Sequence, residues 1–332
     1  MLPIGIVIPT RNAAHIMRGH AAHLRSLLEH TAEAVVVDSS EDGTLDLLKR
    51  ELDNSHVRFF RHPPGLYESW NYGISRLSTP YAYVSTAGDL VGRDGLEHLF
   101  QTAESLDAGI VVSPPEFRDE TGAHLAEKRW PIHDLVRRRA INEPTVIDPW
   151  EVFLLQVVDA PKALIGSSAA NLYRTDVLRR FPFPVDHGHF GDVAWGIEHA
   201  FSTRLAVTPS VVSRFVVHKS GGEMPICEIE RARARLLALA MEVMDLQKGA
   251  NAPAWAGMLR RLAGETSRAW SFQQSYDELR HGPVPWFLRP VAWQARRARK
   301  QQAQILATLK NELLVAGSSE VQRKTGPQTR HA

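Results

Sequence analysis

Two carboxylates at the ends of apolar runs are the residues of this chain best placed to do chemistry. Tyr81-Ala82-Tyr83-Val84 leads into Ser85-Thr86-Ala87-Gly88-Asp89, a small-residue turn closed by one acid. Val35-Val36-Val37 leads into Asp38 and then Ser39-Ser40-Glu41-Asp42-Gly43-Thr44. A strand that ends in an acid puts it at the carboxyl edge of a parallel sheet, where open α/β folds bind ligands. A carboxylate there can accept the ring N–H of a pyrimidine, and it is a hard oxygen ligand suited to Mg²⁺ or Mn²⁺. Two such acids in one sheet point to a nucleotide and a metal. The competing readings are local: Asp38 and Asp42 suit a turn or a helix N-cap, and Asp89 a turn.

The elements that must hold these acids follow from periodicity. Short β-rich runs at 4–8, 34–38, 57–60, 81–85 and 108–113 alternate with helical spacing over 13–30, 44–53, 68–77 and 95–105. Such alternation predicts a mostly parallel sheet with helices on both faces, and strands covered on both faces are nearly all apolar. Residues 114–162, with six prolines, read as a long irregular loop, a type of segment often tied to function. An ordered block follows over 163–173, then a short helix from Thr175, a loop over 181–191, a helix from Asp192 and a strand over 211–217. Beyond Pro225 the chain reads as helices only, over 226–248, 253–279 and 286–314, with a polar tail from 317 expected to be disordered.

Composition removes several classes. A chain of 332 residues supports one large core or two smaller ones. A formal net charge of +2 argues against nucleic acid as a partner of the whole protein. The single Cys227 leaves no internal disulfide and no thiolate metal cluster, which fits a reducing cytoplasm. The first residues already form a strand pattern, so no signal peptide is expected, and no run of about 18 apolar residues predicts a transmembrane helix.

With the opening strand Ile4-Gly5-Ile6-Val7-Ile8-Pro9-Thr10-Arg11-Asn12, these segments resemble the family 2 glycosyltransferases, which have the GT-A fold. The resemblance spans about residues 4–220. Gly65-Leu66-Tyr67-Glu68-Ser69-Trp70-Asn71-Tyr72-Gly73-Ile74 adds to it, being similar to a segment of the bacterial subgroup that builds surface polysaccharides. The family implies a GT-A domain over 1–222, with a nucleotide half at 1–113 and an acceptor half at 114–222. A helical region over 223–315 and a disordered tail at 316–332 complete the expected layout.

The resemblance also assigns roles. It implies nucleotide contact by Asp38 with the Pro9–Thr10–Arg11 region, by Asn71 and by Gly88. Asn71 also suits a local cap or packing role, and Trp70 stands where the family often has Arg. The family's Asp-x-Asp metal motif is reduced here to Asp89 alone, with Ala87, or Thr86 in a longer form of the motif, at the position of the first acid. His218, after the 211–217 strand, occupies a place where family members often set a His against metal or diphosphate; Lys219 beside it is a phosphate candidate. The implied cofactor is Mn²⁺ or Mg²⁺. Inverting transfer needs a base near the acceptor hydroxyl. Phe190-Gly191-Asp192-Val193-Ala194-Trp195, after Phe181-Pro182-Phe183-Pro184, fits the family's helix-opening acid, so Asp192 is the candidate base. Gly191 replaces the family's Glu, Asp186 is the rival, and an N-cap is the local reading of Asp192.

The expected function is thus inverting, metal-dependent transfer from a nucleoside-diphosphate sugar, with UDP the expected carrier. The acceptor would be a glycan or a lipid-linked saccharide. The alternative is a non-catalytic sugar-nucleotide or glycan binder acting as an assembly partner. A sugar-nucleotide-making nucleotidyltransferase or a dinucleotide oxidoreductase would want a glycine pattern that Pro9-Thr10-Arg11-Asn12-Ala13 lacks. Trp130 and Arg129 are candidates for stacking on sugar. The segment 283–300 sets Trp286, Phe287 and Trp293 before Arg296, Arg297, Arg299 and Lys300 without an acid, a pattern that suits an anionic membrane surface. The expected place is the cytoplasm, peripheral on the inner face of the plasma membrane; the bland reading is a helix packing its tryptophans on the domain.

Overall fold

The computed structural model describes residues 1–52, 56–165, 168–217, 225–247, 255–279 and 289–325. His218 and Lys219, and with them Trp286 and Phe287, lie outside these residues. The chain forms two compact units, Met1–Arg137 with Ile141–Gly222, and Arg138–Ala140 with Glu223–Ala332.

The first unit begins with four repeats of strand and helix: β1 (Leu2–Thr10), α1 (Ala14–Leu28), β2 (Thr31–Asp38), α2 (Thr44–Glu51), β3 (Val57–Arg61), α3 (Leu66–Arg76), β4 (Tyr81–Val84), β5 (Leu90–Val91) and α4 (Arg93–Ser105). It continues with β6 (Ile110–Val112), β7 (Glu116–Asp119), α5 (Pro131–Arg138), β8 (Thr145–Val146), α6 (Pro149–Asp159), β9 (Asn171–Arg174) and α7 (Thr175–Arg180). α8 (Gly191–Glu198), β10 (Leu205–Val207) and β11 (Ser213–Val217) close it. Eight strands form one sheet in the order β3-β2-β1-β4-β9-β6-β10-β8. β1 lies parallel to β2 and β4, and the antiparallel members are β9 and β8. A second, three-stranded sheet has the order β5-β11-β7.

The central strands are apolar because helices cover both faces. Ile4, Ile6, Val7 and Ile8 of β1 and Val35, Val36 and Val37 of β2 are fully buried. α1 presents Met17, Ala21, Leu24 and Leu28 at helical spacing to this core.

Residues 114–162 are not the irregular loop that their prolines predicted. They hold β7, α5, β8 and α6. Pro149 opens α6 at a position where the missing N–H costs nothing, and Asp148 caps it by accepting from the Trp150 and Glu151 amides at 2.9 and 3.3 Å. Val152 through Val158 are all buried, so α6 has no polar face and shows no amphipathic period.

The second unit holds α9 (Ile226–Leu246), α10 (Ala256–Leu279) and α11 (Arg289–Thr325). α11 packs on α10 through Ala298, Ile305 and Leu309, and Gln302 Nε2 donates to Thr266 Oγ1 at 2.9 Å. It continues past residue 316, where the polar composition predicted a disordered tail; Glu, Gln, Lys and Val beyond that point are compatible with a continued helix. No helix among the described residues is long and apolar enough to cross a membrane.

Candidate active site

The register of the central strands places the first acid. Thr10, the last residue of β1, pairs with Asp38, the last of β2, and Asp38 pairs with Arg61, the last of β3. Three strand ends therefore meet at one point of the carboxyl edge. Thr10 Oγ1 and Ser40 Oγ donate to Asp38 Oδ1 at 2.8 and 2.6 Å. The Ser40 amide and the Arg61 guanidinium reach Oδ2 at 3.3 and 2.9 Å. Asp38 is 0% exposed, and both oxygens are satisfied within the protein. Arg61 also donates to the Ser40 carbonyl, closing the ring of contacts. Sequence reasoning missed Arg61, although its place at the end of the third strand was a readable signal.

The neighbouring loop is tied to this cluster. Asn12 has a left-handed φ of 49°; its amide donates to Ser40 Oγ at 2.8 Å and its Oδ1 accepts from the Glu41 amide at 2.9 Å. Asp42 accepts from the Ala14 amide at 3.3 Å and the Thr44 amide at 3.0 Å, so one carboxylate serves the first turns of both α1 and α2. The Thr44 hydroxyl bond, with these amides, holds its carboxyl below the usual carboxylate range. Asp42 stands one residue before Gly43, the N-cap of α2. Pro9 is half-buried, and Arg11 is exposed with no ion-pair partner among the described residues.

Asp89 sits in the turn between β4 and β5. The Asp89 amide donates to the Thr86 carbonyl at 3.3 Å, and Gly88 at the third turn position has φ 94°. That is the backbone a type II turn demands, and it asks for glycine there. Ala87 packs on the core. Asp89 is 5% exposed. Its Oδ2 accepts from Thr86 Oγ1 at 2.5 Å, and its Oδ1 from the Val216 amide of β11 at 3.2 Å. Burial, with the Asp89 charge nearby, pushes the Tyr83 phenol well above its ordinary value. Among the described residues no three His, Cys, Asp or Glu side chains gather into a metal-binding cluster. A lone carboxylate nevertheless fits a divalent ion that takes most of its oxygens from a substrate's phosphates and from water.

The third acid, Asp192, opens α8. Its Oδ1 accepts from the Val193 amide at 2.8 Å, and the Tyr67 hydroxyl stands near its carboxylate. Burial pushes the carboxyl up to about 6, partly opposed by these groups. The Tyr67 hydroxyl donates to the His189 carbonyl at 3.3 Å. Burial first, and then the Asp192 charge, push this phenol well above its ordinary value.

The surroundings explain why glycine precedes Asp192. A Cβ at Gly191 would stand 2.5 Å from Tyr67 Cδ2 and 2.6 Å from the Pro184 carbonyl oxygen. The Tyr67 ring therefore fills the space that a side chain at 191 would need. Tyr67 stacks on Phe183 at 5.5 Å between ring centres, and Phe183 packs on Trp70, Tyr173 and Trp195. Asn71 spends both ends of its amide on the Phe183 backbone: Nδ2 donates to the carbonyl at 2.8 Å, and Oδ1 accepts from the amide at 2.9 Å. Asn71 thus ties α3 to the loop before α8. Trp70, where the family often has Arg, is buried in the same cluster, its Nε1 without a hydrogen-bond partner. Trp130 packs edge-on against Phe117 and Phe215. Asp186 is exposed, near His187 Nε2 at 3.9 Å.

In comparisons with known proteins, the family described as Glycosyl transferase family 2 matches residues 5–181, just over half of the chain. No curated protein matches it. Similar solved structures include TarS 1-349 from S. aureus in complex with UDP, 14% identical, covering 99% of this chain and 93% of that one, TM-score 0.51. The same protein in complex with UDP-GlcNAc is 12% identical over the same shares, TM-score 0.52. The mannosyltransferase PcManGT from Pyrobaculum calidifontis, in complex with GDP-Man and Mn²⁺, is 17% identical, covering 98% and 88%, TM-score 0.51. At these identities the likeness is one of fold, and that fold is GT-A. The chain belongs to glycosyltransferase family 2.

Proposed function

We propose that this glycosyltransferase is an inverting enzyme in which Asp192 is the base and the donor is a UDP-sugar. The observation that carries the reading is the state of Asp192. A carboxyl raised to about 6 is ionised near neutral pH and still basic enough to accept a proton as the acceptor hydroxyl attacks. The acceptor oxygen forms its bond to the anomeric carbon while the bond to the diphosphate oxygen breaks, and the proton passes to Asp192. Asp89 would hold a divalent ion, which when bound neutralises charge on the departing diphosphate. Asp38 serves the nucleotide side by fixing Thr10, Ser40 and Arg61; a base could touch its carboxylate only by displacing one of them. The acceptor is a glycan or lipid-linked saccharide.

Asp192→Asn should lower transfer by about 100-fold or more, the scale of a lost general base. UDP with Mn²⁺ should still raise its melting temperature. Near-normal turnover of that variant would remove Asp192 from the reaction. A wild-type protein that binds UDP yet neither transfers nor hydrolyses a UDP-sugar would favour the second reading, a non-catalytic sugar-nucleotide binder; the single carboxylate at 89 is the observation behind it.

A membrane-facing role is proposed for the second unit on one stripe of α11. Trp293, 59% exposed, shares a face with Arg296, Arg297 and Lys300 at helical spacing, and the Arg297 guanidinium lies 5.5 Å from its ring centre. Arg299 is not part of this stripe: its Nε lies 3.9 Å from Glu230 Oε1 of α9.

A further inference from the structure

Beside the candidate active site, the 114–137 segment forms a groove of about 580 Å³ that none of the proposed chemistry uses. Its floor is apolar, with Pro115, Phe117 and Val136. Its rim is cationic, with Lys128, Arg129 and Arg137, and His124 joins them. Arg137 is held by Asp134 at 2.8 Å, but Lys128 and Arg129 are exposed and have no ion-pair partner among the described residues. The one acid lining the groove, Glu116, is neutralised by Arg118 at 2.8 Å and Arg214 at 3.3 Å. The concave surface therefore carries an uncompensated positive charge over low-dielectric walls, an arrangement that concentrates anions.

The groove is built, not merely a stretch of loop. His133 Nδ1 accepts from the Trp130 amide at 3.1 Å, and its Nε2 donates to the Pro115 carbonyl at 2.9 Å. Those two bonds fix α5 against the start of β7. Trp130 packs on Phe117 and Phe215, with ring centres 4.9 and 4.8 Å apart, so the loop bearing Lys128 and Arg129 is anchored from below.

Its place in the fold connects it to the site. Phe117 of β7 pairs with Phe215 of β11, and the next residue of β11, Val216, donates to Asp89. The floor of the groove thus lies one strand, roughly 5 Å, from the strand that contacts the proposed metal ligand. A saccharide chain lying on the apolar floor would set its charged substituents against Lys128 and Arg129.

We infer that this groove binds an acceptor glycan carrying anionic oxygens, either phosphodiester or uronate. The inference rests on the glycosyltransferase reading for its role as acceptor, but not for the binding itself. The test is calorimetric titration of the full chain, at low ionic strength, with inorganic tripolyphosphate, tetragalacturonate and uncharged maltotetraose. Both anions should bind more tightly than maltotetraose, and the tighter of the two assigns the source of the charge. Lys128→Glu with Arg129→Glu should weaken anion binding about tenfold or more, and the milder pair Lys128→Gln with Arg129→Gln should fall between. The melting temperature and its shift by UDP with Mn²⁺ report separately on the fold and the donor site. Anion binding that is equal in wild type and variants, absent in the wild type, or matched by maltotetraose would overturn the inference. A missing UDP shift in the wild type would instead sink the donor reading and leave the groove standing.

Discussion

Removing the hydroxyl beside the proposed base, by Tyr67→Phe, should move the pH at which the enzyme switches on. The ring stays in place, since its stacking on Phe183 and its edge contact with Trp70 at 5.2 Å do not involve the oxygen. The His189 carbonyl that loses a donor belongs to an exposed residue. What changes is Asp192, whose ionised form loses a nearby hydroxyl that helps to oppose desolvation. A hydrogen bond to a charged group is worth about 1.5–3 kcal/mol, or about 1–2 pKa units. The Tyr67 hydroxyl donates to the His189 carbonyl and acts on Asp192 from nearby, so the lower end applies. The carboxyl, now at about 6, should rise by about one unit. The sign follows from the role: a base works when deprotonated, so activity rises with pH through this value, and the variant's rise comes later. Near pH 6 the ionised fraction should fall from about one half to about one tenth, while well above it the two enzymes converge. Initial rates of sugar transfer across the pH range read this directly. A Tyr67→Phe enzyme that is slower by the same factor at every pH would refute the reasoning, because a structural loss scales the whole profile and leaves its midpoint alone.

Three further outcomes are expected. Gly191→Ala should destabilise the first unit by about 2 kcal/mol, since the new methyl meets the Tyr67 ring and the Pro184 carbonyl; thermal unfolding checks it, and an unchanged melting temperature would show that this space is not filled. His20 is buried with neither ring nitrogen bonded, and desolvation, aided by His23, pushes it down to about 4. It is neutral in the fold and charges more readily when unfolded, so full stability holds above about pH 6.5 and is lost, by up to about 3 kcal/mol, as pH falls toward 4. His20→Leu should flatten that part of the urea-denaturation profile. On anionic vesicles, flotation of the full chain should weaken with salt and weaken again in Trp293→Ala, while equal recovery with neutral vesicles would leave α11 only its packing role.

The strand ends were legible because their signal is local. An apolar run, a small-residue turn and an acid lie within ten residues of one another at both Asp38 and Asp89, and register then brings Thr10 and Arg61 to the first of them. The helix α6 was illegible because Val152 through Val158 face protein on every side, which erases the period that marks a surface helix. Proline density then suggested a loop, although Pro149 was the helix start. The support of Asp192 by Tyr67 and the clamp of Asn71 on Phe183 join residues more than a hundred positions apart. No spacing rule reaches that far. The pattern around Tyr67 and Asn71 marked a family segment, but only the packing says what the two side chains do.

Each of the three acids has a hydroxyl beside it. Asp38 has Thr10 and Ser40, Asp89 has Thr86, and Asp192 has Tyr67. The two positions where the resemblance leads one to expect a second carboxylate are Ala87, which packs on the core, and Gly191, which makes room for the Tyr67 ring. A second carboxylate beside the first would raise the pKa of one of the pair by repulsion, whereas a hydroxyl donor lowers it. At Gly191 the exchange therefore leaves Asp192 without a neighbouring carboxylate that would raise its pKa, and at Ala87 it removes a potential ligand carboxylate. For Asp192 that is an advantage, since desolvation already lifts its carboxyl to about 6 against the groups that lower it, and a neighbouring Glu would lift it further. For Asp89 it is a cost, since one carboxylate holds a divalent ion weakly until diphosphate oxygens complete the shell. The same substitution pattern thus favours the ionised form of the proposed base, and it would make a metal at Asp89 dependent on the donor, so metal and nucleotide should bind together.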